Sequence, residues 1–174
     1  ESIEPLTFID MRVQTLVPRV KRLIHPIKTY QDDFIRWLGF YNAGMLHLGN
    51  TYCFDYVIRN LSSDAPIAEI GAFCGLSTNT ITYFMRKHKK TNVFYSVDAW
   101  DYDPDKTHKK IGDTDFEYLQ FNDWVLSSYK ENLKLFSSTN QPRSIKMFSG
   151  DFFDLWKAKG TAQDVYGSSV PLGG

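Results

Sequence analysis

Cysteine is scarce in this 174-residue chain, with only Cys53 and Cys74. Two thiols cannot form a disulfide framework, and the expected setting is a reduced, cytoplasmic one. Neither cysteine has a second thiol at metal spacing, and the four histidines (His25, His47, His88, His108) form no HxH or HxxxH pair, so no structural zinc is expected. Five acids between Asp101 and Asp115 lack the spacing of a calcium loop and alternate with Lys106, Lys109 and Lys110, the pattern of a solvated loop. No metal is expected there either. Net charge is also missing, because 20 basic and 20 acidic residues cancel at a pI near 7.1. A neutral chain has no electrostatic pull toward nucleic acid or an anionic membrane, and the cluster Arg86, Lys87, Lys89 and Lys90 suits a helix C-terminus. No apolar run approaches the roughly 20 residues that span a bilayer, and the charged, proline-containing N-terminus has no signal-peptide core. The partners that remain are a small-molecule substrate and, for the oligomeric state, another copy of the chain.

What is present is a core. With 43% hydrophobic, 16% aromatic and 23% charged residues, the chain is long enough for one substantial α/β domain. Its organising stretch is Pro66–Asp98. PIAEIGA is a short apolar run that stops at a glycine and predicts a buried strand. Leu76–Lys89 places Ile81, Tyr83, Phe84 and Met85 at helical spacing and ends in cations, which predicts a helix. NVFYSVD predicts a second strand ending on Asp98. Together these form a βαβ unit, whose ligand crevice lies at the carboxyl ends of the strands.

The turn Gly71-Ala72-Phe73-Cys74-Gly75-Leu76-Ser77 carries the chemistry. Its glycines permit a tight bend and close approach of a ligand, and Ser77 and Thr78 offer hydroxyls beside the unpaired N–H groups of a helix start. A helix-capping turn with no ligand is the ordinary alternative. Asp98 stands at the end of the second strand, where an acid commonly accepts both hydroxyls of a ribose. An adenosine ligand is therefore expected. A dinucleotide fold wants G-x-G-x-x-G, whereas this turn is G-x-x-x-G with Phe73 inside it, which fits pyrophosphate poorly.

The stretch E-I-G-A-F-C-G-L-S-T resembles the first motif of class I S-adenosylmethionine-dependent methyltransferases, in particular the branch with E-[IL]-G-x-x-x-G-x-S-T. The resemblance implies a Rossmann-like, three-layer parallel sheet and S-adenosylmethionine as cofactor. It implies that Glu69, Gly71, Ala72, Phe73, Gly75 and Ser77 hold the methionine end and that Asp98 holds the ribose. It further implies that an acid just after the third strand meets the adenine amino group while apolar neighbours flank the ring, which falls on Asp151 and Phe152. The likeness covers only the cofactor-binding part of the family domain. The closing VPLGG is similar to the lead-in to a fourth strand, so residues 61–174 are expected to be an S-adenosylmethionine-binding domain truncated before that strand.

Residues 1–60 are expected to form an N-terminal helical cover. A short helix is predicted over Val17–Ile24, a second on the stripe Phe34, Ile35, Leu38 and Tyr41, and a third from Tyr52 to Leu61. The loop Met45–Asn50 between the last two is expected to help close the pocket, with His47 a candidate base or simply a packing residue. Phe116–Phe136 predicts a long amphipathic helix. Ser144–Phe153 predicts the third strand, ended by Gly150-Asp151, followed by a short helix over Phe153–Lys159. The expected activity is transfer of a sulfonium methyl group to an unidentified small molecule, with no catalytic residue assigned. Two other classes stay open: an NAD-binding oxidoreductase domain, and a non-catalytic nucleotide-binding or assembly module.

Overall fold

The computed structural model describes residues 32–102 and 110–173. The expected helix at Val17–Ile24, the first half of the N-terminal cover, and Asp103, Asp105, Lys106, His108 and Lys109 of the acidic loop lie outside the described residues. The described chain is mixed α/β. In order it contains α1 (Asp33–Tyr41), α2 (Leu48–Arg59), β1 (Ile67–Ile70), α3 (Leu76–Lys87), β2 (Phe94–Asp98), α4 (Tyr118–Phe136), β3 (Arg143–Lys146), α5 (Ser149–Lys157), β4 (Thr161–Gln163) and β5 (Ser169–Pro171). Among the described residues, no helix is long and apolar enough to cross a membrane.

β1, β2 and β3 form a parallel sheet in that order, with Glu69 opposite Ser96 and Ser96 opposite Ser144. Strand alternation sends these three side chains to one face and Tyr95, Val97 and Ile145 to the other. The first face meets α3 and α4: Phe94 packs with Ile81, Phe84 and Met85 of α3, over which Ile35 of α1 and Ile58 of α2 close. The second face meets α5 and the hairpin β4–β5, where Phe152, Ala162, Val170 and Leu172 surround Tyr95, Val97 and Ile145. Full burial of side chains of this size stabilises the fold by roughly 1.5–3 kcal/mol each.

Two boundaries differ from those the sequence predicts. β3 stops at Lys146, and Gly150-Asp151 lies in the first turn of α5 instead of ending a strand. Phe152, Leu155 and Trp156 recur at helical spacing, and a helix can lay all of them against Tyr95 where a strand would split them between faces. α2 starts at Leu48, so only the first part of Met45–Asn50 is loop. His47 is its N-cap, with Nδ1 accepting from the Gly49 amide at 3.1 Å. The hairpin β4–β5 has no counterpart in the sequence reading. Asp164 builds its turn by accepting from the Tyr166 and Ser168 amides at 2.9 and 2.7 Å. The hairpin joins β3 through the Val165 amide, which donates to the Ser144 carbonyl at 2.8 Å.

α1 is fastened to α3 through Asp32, whose side chain caps α1 at the Phe34 and Ile35 amides. Its second oxygen accepts from the Tyr83 hydroxyl at 2.6 Å and from Lys87 Nζ at 2.7 Å. Partial burial pushes the Asp32 carboxyl up, but its bonds to Lys87, Tyr83 and the Ile35 amide together hold it below 3.8. Lys87 is well exposed, so solvent screens its share, and the cap and the Tyr83 bond carry most of the effect. A group lowered on folding contributes stability above its unfolded pKa and loses it as pH falls through the folded one. Asp32→Ala is expected to cost about 1–3 kcal/mol in urea unfolding at pH 7. The difference from wild type should shrink below pH 4; a difference that stays constant into acid would show that the carboxylate is not the source.

Candidate functional site

The site is built on the link between β1 and α3. The Gly71 amide continues the sheet ladder to the Val97 carbonyl at 2.8 Å, after which Gly71 takes φ 85° and the chain leaves the strand. Phe73 (φ 48°) and Gly75 (φ 90°) follow in the left-handed region, and Gly75 closes the bend on the Ala72 carbonyl at 2.8 Å. Gly75 caps α3 with no side-chain acceptor.

Asp98, at the end of β2, holds this bend. Its Oδ2 accepts from the Ala72 and Phe73 amides at 2.8 and 2.9 Å, and its Oδ1 accepts from the Trp100 amide at 2.7 Å. Trp100 is buried, has φ 43°, and donates its indole N–H to the Phe73 carbonyl at 2.9 Å. Two non-glycine residues in the left-handed region thus face each other across one carboxylate. Each conformation costs about 1–2 kcal/mol, so the hydrogen bonds that fix them must outweigh that strain.

Glu69 lies beneath the bend. Its Oε2 accepts from the Thr78 and Ser96 hydroxyls at 2.6 and 2.8 Å, while Oε1 is buried with no hydrogen-bond partner. Burial pushes its pKa up and nearby Asp98 adds to the rise; the Ser77, Thr78 and Ser96 hydroxyls oppose it, Ser77 without a bond of normal geometry. The polar row continues across the sheet through Ser144, which is bonded to the buried Tyr129 hydroxyl of α4 at 2.7 Å.

A second polar cluster clamps the bend from outside. The Cys74 carbonyl accepts from Asn42 Nδ2 at 2.9 Å and from Asn132 Nδ2 at 2.8 Å, tying it to the end of α1 and to α4. Asn79 donates to Asn42 Oδ1 at 2.7 Å and accepts from the Ser137 hydroxyl. Gly44 then passes so close to α3 that an added Cβ would stand 2.4 Å from Leu76 Cβ. Segment 42–44 therefore lies against the helix head.

The structure brings Glu69, Gly71, Ala72, Phe73, Gly75, Ser77 and Asp98 together at one bend, with differing parts. Gly71 is open, since a Cβ there would meet nothing within 4 Å. Gly75 is packed, not open: a Cβ there would lie 3.1 Å from both Tyr129 and Leu133 of α4, so its small size serves helix packing and ligand approach falls to Gly71. The Phe73 ring packs edge-on to Tyr102 and beside Phe121, forming an aromatic wall next to the bend. Cys74 is buried and its thiol is pushed up to about 11, which makes it unreactive. Asp151 is exposed in the first turn of α5. The Phe152 ring is fully buried against Tyr95 and Trp156, while Phe148 and Phe153 are the exposed apolar chains beside it.

The residues missed by sequence reasoning are Asn42, Asn79, Ser96 and Asn132. One signal could have found Asn79. Thr78, Asn79, Thr80 and Thr82 give α3 polar residues on its inward side, all at most 1% exposed, where periodicity expects apolar ones. Compared with known proteins, the chain matches no family model and no curated protein.

Asp98→Ala would leave three amides without their acceptor, and about 2–3 kcal/mol of stability should be lost in denaturant unfolding. Asp98→Asn, which keeps one acceptor oxygen, should lose less; equal losses would mean that these bonds do not hold the bend. Gly44→Ala should cost about 1–3 kcal/mol by overpacking against Leu76, whose Cβ is the nearest atom, so Leu76→Gly should recover more of it than Leu76→Ala in a double-mutant cycle.

Proposed function

We propose that this chain is the cofactor-binding portion of an S-adenosylmethionine-dependent methyltransferase acting on a small molecule in the cytoplasm. Its parallel β1-β2-β3 sheet would be the nucleotide side of a Rossmann-like fold, with residues 32–60 as part of its helical cover. The observation that carries the reading is the pairing of two unlike groups at one bend. One is the uncapped head of α3, which suits a carboxylate; the other is the unpartnered Oε1 of Glu69, which suits an N–H donor. An α-amino acid carries both a carboxylate and an N–H donor, and a lone phosphate or a dinucleotide's pyrophosphate carries no N–H donor.

The ribose assignment takes a narrower form. A carboxylate has about four lone-pair sites, and Asp98 already uses three on backbone amides. It can accept one ribose hydroxyl through Oδ1 without releasing the bend; gripping both would require giving up an amide. The NAD-binding reading loses ground at Phe73. Its backbone has the left-handed twist that a glycine would supply, but it carries a side chain where a pyrophosphate would need a bare glycine backbone. When bound, the cofactor supplies an electrophilic methyl group. The chain's own residues bind and orient it, with Glu69, Ser77 and the α3 head on the amino-acid end, Asp98 on the sugar, and Asp151 near the base.

Calorimetric titration with S-adenosylhomocysteine should give saturable binding, and NAD should give none. Ser77→Ala should weaken the affinity by roughly tenfold or more, the loss of one hydrogen bond to a charged group. Binding of NAD without S-adenosylhomocysteine would overturn the assignment.

A further inference from the structure

We infer that Glu69 is a neutral carboxylic acid in the ligand-free protein, and that it releases its proton to solvent when an ammonium group docks against Oε1. The proposal rests on the cofactor reading for the identity of the ammonium, but the protonation of Glu69 does not. The geometry is one-sided. The Thr78 and Ser96 hydroxyls bond to Oε2, the Ser77 hydroxyl acts on the carboxyl without a bond of normal geometry, and Oε1 is buried without a hydrogen-bond partner. An ionised carboxylate in that position would leave half its charge unsolvated, which is far more costly than burying a neutral acid with one O–H unpaired.

Among the described residues, no cation forms an ion pair with it. Asp98 from β2 and Tyr129 from α4 are the ionisable neighbours with a stated effect, and neither can carry positive charge. Asp98 makes ionisation harder, and the Tyr129 phenol is held neutral by its own burial and bonded to Ser144. α3 contributes only the hydroxyls of Ser77 and Thr78. Burial raises the carboxyl's pKa accordingly.

An ammonium group changes that balance. Its N–H would donate to Oε1, its charge would compensate the carboxylate, and the carboxyl proton would pass to water. The O–H bond that breaks is the acid's own, no electrons are transferred, and the net result is one ligand bound and up to one proton released. By linkage, affinity then rises with pH by up to tenfold per unit between the pKa of the complex and that of the free protein, and is flat above the latter. The α-amino acid end of S-adenosylhomocysteine carries such an ammonium.

Two measurements test this. Infrared spectroscopy of the ligand-free protein at pH 7 should show the carbonyl stretch of a protonated, buried carboxyl that Glu69→Gln abolishes. Its absence would overturn the inference whatever the protein binds. Should Glu69→Gln fail to fold, a ¹³C carboxyl titration of the wild-type protein reads the same proton, and Thr78→Val, which removes a donor to Oε2, should move its midpoint upward. Calorimetry with S-adenosylhomocysteine in two buffers of different ionisation enthalpy should show proton release in the wild type and none in Glu69→Gln. Tight binding without proton exchange would sink the proton coupling and leave the cofactor reading intact. A persistent carbonyl band with no binding would do the reverse, keeping the neutral acid and overturning the cofactor reading.

Discussion

One carboxylate sets the geometry of this protein's candidate site. Asp98 joins three backbone amides from two separate loops, and through them it fixes where β1 ends, how α3 begins and which way the chain turns after β2. Phe73 and Trp100 both take left-handed backbone angles, which neither would adopt alone. The Trp100 indole completes the lock by bonding the Phe73 carbonyl. An acid at a strand end is usually considered for what it offers a ligand. Here it also makes the shape that a ligand would meet.

Polar groups do much of the work that apolar packing does elsewhere in the sheet. Glu69, Ser96 and Ser144 lie in one register row, with Thr78 above and Tyr129 across from them, all buried. The Asn42, Asn79, Asn132 and Ser137 cluster ties α1, α3 and α4 to the same bend. Networks of this kind are directional, so they specify one arrangement where an apolar surface would tolerate several. Glu69 Oε1 is the exception to their completeness, and it sits at the bend. That unpartnered oxygen, beside the uncapped head of α3, is the feature on which the proposed cofactor reading rests.

The opposite face of the sheet is conventional by comparison. Tyr95, Val97 and Ile145 are covered by α5 and by a hairpin of short strands, which docks onto β3 by a backbone bond at Val165. That layer holds Phe152 in the core and leaves Phe148 and Phe153 exposed next to Asp151. The helical spacing of Phe152, Leu155 and Trp156 decided that outcome over the alternation that suggested a longer strand.

By itself the sequence determined the βαβ unit, the glycine bend and its facing aspartate, because local signals set all three: apolar runs of strand and helix period, a glycine where φ must be positive, and cations at a helix end. The helices around it were legible for the same reason, to within a few residues at their ends. The hairpin was not, since three-residue strands carry too little pattern to distinguish them from a tail. Only the tertiary structure could decide which side chains serve the bend. Asn42 and Asn132 lie 32 and 58 residues from the Cys74 carbonyl they share, and no local rule links them. The same holds for the division of labour between the two glycines: α4 fills the space beside Gly75 and leaves Gly71 open, a difference of packing between elements far apart in the chain.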